Sequence, residues 1–144
     1  MTRTMAVTAV GCAILFLGCP HPRPPVENGH DVGQMEELGD HLLYLTAKVQ
    51  ASAAEGTLPD GPDKERIAFA TRDDPPVMTP FEGYRVRVAR DGENAAVLVC
   101  TRDGKTALLE DLGCTARLDV EHWRSPSPPA CAFTSNLHDA CAGR

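Results

Sequence analysis

Four cysteines fall in the last third of the chain, Cys100, Cys114, Cys131 and Cys141, and any fold of this segment must deliver them to partners. A disulfide requires its two Cα atoms within roughly 4.4–6.8 Å, so two bridges fix two long-range contacts in advance. The spacing contains no C-x2-C pair and does not fit a zinc centre. Staples are also what the remainder of the chain calls for. Its 144 residues hold one Trp, two Tyr and four Phe, so the core leans on Leu, Val and Ala. Small domains with modest cores often add covalent links to reach adequate stability. Four cysteines allow three pairings. Short loops favour Cys100 with Cys114 and Cys131 with Cys141, each bridge contributing about 3 kcal/mol in the chain-entropy account.

The amino terminus supplies an oxidising context. Residues 1–18, MTRTMAVTAVGCAILFLG, place the cation Arg3 ahead of an unbroken apolar or small run from Met5 to Gly18. This is the layout of a secretory signal peptide. At a rise of 1.5 Å per residue the run reaches about 21 Å, short of the roughly 30 Å hydrocarbon core of a bilayer, so removal is expected rather than a stable span.

The run ends in Phe16-Leu17-Gly18-Cys19, which resembles the lipobox of bacterial lipoproteins: an aliphatic residue, a small or aliphatic residue, Gly, Ala or Ser, then Cys. Phe16 stands where Leu is usual. The resemblance covers no more than the first fifth of the chain. It implies cleavage before Cys19, a diacylglycerol on that thiol and often an acyl group on the new amine. Cys12 is a rival position, but the run before it is only Met5 to Gly11, and Ala13 to Leu17 would be stranded on the mature side. With Cys19 modified and Cys12 removed, an even number of cysteines remains to pair. The implied setting is the cell envelope, with the membrane bound through the lipid. Pro20 is not the Asp usually associated with inner-membrane retention, so the expected site is the outer membrane, facing the periplasm.

Pro20-His21-Pro22-Arg23-Pro24-Pro25 and the residues through His30 then read as an extended, semi-rigid tether over 19–30. A single domain is left over 31–144. Asp31 opens a helix with Gln34 as a capping-box partner and Gly56 as its stop. Met35, Leu38, Leu42, Leu45 and Val49 make one stripe at 3-4-3-4 spacing. Such a stripe suits a helix lying on a sheet as well as a helix-mediated dimer; core packing is preferred because the strands that follow need a cover.

After a turn-rich stretch, Glu65 to Thr71 reads as a short strand around Ile67 and Phe69, broken by Asp73-Asp74-Pro75-Pro76. Tyr84, Val86 and Val88 alternate with Arg85 and Arg87, a half-buried strand with one wet face. Asp91-Gly92 turns the chain into Ala95 to Cys100, and Asp103-Gly104 turns it into Thr106 to Glu110. The expected class is α+β: an amphipathic amino-terminal helix packed on a small antiparallel β-meander and stapled by disulfides.

Fourteen basic against twenty acidic residues give a net charge of −6, a poor match for a phosphate backbone, so nucleic acid is not an expected partner. No catalytic constellation, metal site or cofactor is expected. The pairs Glu36-Glu37, Asp73-Asp74 and Glu110-Asp111 lack calcium-loop spacing, and His21 and His30 sit in the tether. A ligand set of Cys131, His138 and Cys141 would need free thiols, which the even count argues against. Arg85 and Arg87 offer a weak grip for an anionic ligand or an acidic partner. The expected function is a non-enzymatic protein-binding or structural module with an envelope protein as partner. The alternative is a small-ligand-binding protein or enzyme with a site near His122 or His138. A concave pocket with at least two converging titratable residues would favour the alternative, and an exposed apolar patch or an arginine stripe on Arg85 and Arg87 forming one continuous surface would favour the first.

Overall fold

The structure, a computed structural model, describes residues 25–143. Cys12, Cys19 and the expected signal segment lie outside the described residues. At the start of the domain the Asp31 carboxylate accepts from the Gln34 N–H at 2.9 Å and caps helix α1, Val32–Ala54. The helix ends where Gly56 takes a φ of 69° that side chains disfavour. Its stripe of Met35, Leu38, Leu42, Leu45 and Val49 is buried along the whole length.

That stripe lies on a three-stranded antiparallel sheet of β3 (Arg85–Asp91), β4 (Asn94–Cys100) and β5 (Ala107–Leu112), in the order β3-β4-β5. The chain is an α+β domain. Asp91 pairs with Asn94, so Gly92-Glu93 forms a two-residue turn with Gly92 at φ 58°. Gln50 of α1 clamps this hairpin, donating to Glu93 O and accepting from Ala95 N–H. Its side chain occupies the space a Cβ on Gly113 would need, which is why only glycine fits there.

The strand β4 is buried on both faces from Ala95 to Cys100. Ala95, Val97 and Val99 join the α1 core, while Ala96, Leu98 and Cys100 face the opposite way, against residues 113–141 and the short helix α3, Leu137–Cys141. Two disulfides staple this tail to the sheet, Cys100–Cys131 and Cys114–Cys141. All four cysteines are bridged as expected, but the pairing corrects the short-loop expectation. Cys100 ends β4 opposite Ala107, whereas Cys114 follows Leu112, which pairs with Ala96 at the other end of the ladder. Four strand residues, about 13 Å, separate the two ends, well beyond disulfide reach.

Two further expectations are corrected. Residues 65–71 do not form a strand; 65–70 lie in helix α2, Asp63–Ala70, with Thr71 as its C-cap, and the helix follows Pro62, carries Asp63 and Glu65 in its first turn, and buries Ile67 and Ala70 at helical spacing. The tether does not stay extended through His30. Strands β1 (Val26–Glu27) and β2 (His30–Asp31) pair across Asn28-Gly29, whose φ values of 48° and 82° make a turn that twists with the strands. Asn28 Nδ2 donates to Arg124 O at 2.8 Å, and Arg124 bridges Glu27, Glu36 and Glu121, so this hairpin is bound to the domain. Among the described residues, no helix is long and apolar enough to cross a membrane.

Candidate functional site

Among the described residues, a cleft of about 750 Å³ is walled by α2, the 3₁₀ turn Pro75–Phe81 and the first residues of β3. Its volume falls in the range of ligand-binding clefts, roughly 300–1,000 Å³. Prolines 75, 76 and 80 hold the turn in its tight form, and Val77 and Phe81 anchor it in the core. Ile67, Met78, Phe81 and Val86 give the cleft an apolar lining. Lys64, Arg72 and Arg85 are its cations, and its single carboxylate, Asp63, is already engaged. Asp63 Oδ1 accepts from the Val88 N–H at 3.1 Å, and Oδ2 lies 3.8 Å from Arg87 Nε. The far end of α2 is braced on α1: Lys48 Nζ sits 3.4 Å from Asp73, and the Tyr44 hydroxyl donates to Asp74 at 3.1 Å.

Arg85 and Arg87 do not form one continuous stripe. Arg85 borders the cleft and is exposed, its side chain reaching toward Gly104, where a Cβ would collide with it. Arg87 Nη1 donates to Cys131 O at 2.8 Å, and its guanidinium lies over the Phe133 ring, so it ties the stapled tail to β3. The histidines are separated as well. His122 is 7% exposed with Nε2 2.9 Å from Glu110 Oε2, whereas His138 is exposed beside Asp91. Neither lines the large cleft.

The sequence offers the carboxyls of β5 only as a pair without calcium-loop spacing, and in the fold both have shifted pKa values. Glu110 is fully buried opposite Leu98 and accepts from the N–H groups of Thr134 and Ser135, the Thr134 hydroxyl and His122. Burial raises its pKa, but these hydrogen bonds to the charged form outweigh burial and hold it below the usual glutamate value. Asp111 points to the α1 side opposite Val97, and burial together with the neighbouring Asp119 pushes its pKa to about 7. The Thr46 hydroxyl favours its charged form from a distance, without hydrogen-bond geometry to Asp111 Oδ1. Asp119 itself accepts from the Leu112 N–H and the Thr115 hydroxyl, each at 2.8 Å. Among the described residues, no group of three or more His, Cys, Asp or Glu is placed to hold a metal ion.

No protein-family model, curated protein or solved structure matches the chain.

Proposed function

We propose that this chain is a lipid-anchored envelope protein, modified at Cys19, whose stapled domain is a non-enzymatic module that binds an envelope protein, with the α2–β3 cleft as its docking site. The outer membrane facing the periplasm is the compartment this reading favours. The cleft carries the proposal: an open apolar floor, cations at its border and a single carboxylate already committed to Val88 and Arg87. General acid–base chemistry needs a titratable group within reach of the reacting atom. Asp63, the carboxylate that lines the cleft, is committed to Val88 and Arg87, and Glu110 and Asp111 of β5 do not line it, which favours recognition over catalysis.

Two measurements test the reading. The intact mass of the membrane-extracted chain, alkylated without reductant, is expected to equal residues 19–144 plus acyl chains, less four hydrogens, with no alkylation. An unlipidated mass overturns the anchor. A photo-crosslinking residue at Lys64, on the cleft border, is expected to give a discrete protein adduct in living cells that the same residue at Asp139, in α3 on the opposite sheet face, does not give. Equal adducts from both positions, or none, overturn the cleft as docking site.

A further inference from the structure

The strand bordering the cleft is an edge. In the order β3-β4-β5, one side of β3 has no strand neighbour among the described residues. The turn-closing pair Asp91↔Asn94 fixes which residues bond to β4: Arg85, Arg87 and Ala89 share its parity, so the backbone groups of Val86 and Val88 point to the open side. Val88 confirms the parity, because its N–H reaches the Asp63 carboxylate at 3.1 Å and its carbonyl accepts from Arg66 Nη1 at 3.1 Å. Side chains of α2 thus take the place of a strand at Val88. Two residues earlier no described residue does, and Val86 lines the cleft. An unpaired N–H and C=O beside an apolar floor form a template for an added strand.

We infer that the cleft takes an extended segment of the partner protein, which adds to β3 at Val86, lays apolar side chains on Ile67, Met78 and Phe81, and sets acidic side chains toward Lys64, Arg72 and Arg85. The inference rests on the binding reading above and names the chemistry of its partner. Charge decides the sign of that partner: three cations border the cleft against one carboxylate already paired, in a chain whose net charge is −6. Strand addition gives affinity through main-chain hydrogen bonds and selectivity through side-chain pockets.

The test uses the full-length, oxidised chain and a fluorescein-labelled, acetylated pentapeptide Glu-Val-Leu-Val-Glu, followed by anisotropy and by hydrogen exchange of the β3 amides. Binding at about 10–100 μM is expected, with slowed exchange at Val86. The peptide N-methylated at Leu and the peptide N-methylated at both Val residues present opposite backbone edges, so one is expected to bind like the parent and the other not to bind. The Lys-Val-Leu-Val-Lys peptide and the K64E/R85E variant are each expected to weaken binding about tenfold or more, as lost charge-assisted contacts do. No binding at about 1 mM, equal behaviour of the two methylated peptides, or dodecanoate binding where the peptide does not, overturns the strand-addition inference. An adduct at Lys64 in cells together with failure of the peptide sinks this inference alone, whereas the absence of both sinks the binding reading.

Discussion

Glu110 and Asp111 are adjacent on β5, and the two faces they enter shift their carboxyls in opposite directions. On the tail side Glu110 stays charged because residues 134 and 135 have no regular structure to satisfy their N–H groups, and the carboxylate satisfies them. On the helix side α1 satisfies its own backbone, brings only side chains to the sheet, and leaves Asp111 without enough donors to offset its burial, so its pKa rises to about 7. A regular element can cover a sheet by apolar burial alone. An irregular one needs hydrogen-bond hubs and covalent staples, and both disulfides lie on that side.

The sharpest way to break this contrast is Glu110→Ala. Leaving the Thr134 and Ser135 N–H groups and His122 without their acceptor is expected to cost about 3–5 kcal/mol in urea unfolding. A loss no larger than that of an exposed carboxylate would show that the tail does not depend on the hub. Next comes removal of the Cys114–Cys141 bridge by paired Ser substitution. A loop spanning 27 residues predicts about 3.5 kcal/mol, read as a lower urea midpoint and faster proteolysis within 115–141.

On the helix side, Leu42→Ala is expected to cost about 3 kcal/mol, through burial and cavity terms alone. Proteolysis of the tail should stay unchanged in that variant under native conditions. If it accelerates, the two faces are one cooperative unit.

The smallest effect is the pH dependence. Asp111 has a folded pKa of about 7, above its unfolded value of about 3.9. Its contribution is therefore full below the unfolded value and is lost as pH rises through 7. Asp111 lines a cleft of about 230 Å³ with Leu43, Ala47 and Thr115; allowing for solvent screening through it, stability should fall by about 2 kcal/mol between about pH 5 and pH 8. Asp111→Asn should remove that fall. Glu110 runs the other way, its contribution being lost as pH falls below its depressed folded value.

The helix side was legible in the sequence because it is periodic. Asp31 with Gln34, the Met35 to Val49 stripe and the two hairpin turns carry period and turn chemistry that leave few options. The hairpins also held the correct pairing by implication, since antiparallel strands put Cys100 and Cys114 at opposite ends; loop length alone pointed the other way. Asn28-Gly29 was a readable hairpin signal hidden behind a run of prolines. Helix α2 was misread because Ile67 and Phe69 alternate, while the informative pair, Ile67 and Ala70, is spaced as in a helix. Glu110 gave no warning, because its partners Thr134 and Ser135 lie in a stretch without period. The cleft was half legible: Arg85 was singled out, but its walls come from α2 and the Pro75–Phe81 turn, whose placement beside β3 is a tertiary fact.

Native-state hydrogen exchange on the oxidised and the reduced chain tests the contrast between the two faces most directly. The account predicts that reduction opens the Thr134 and Ser135 amides and those of α3 while α1 and β4 keep their protection. Uniform loss across tail, helix and sheet would contradict it.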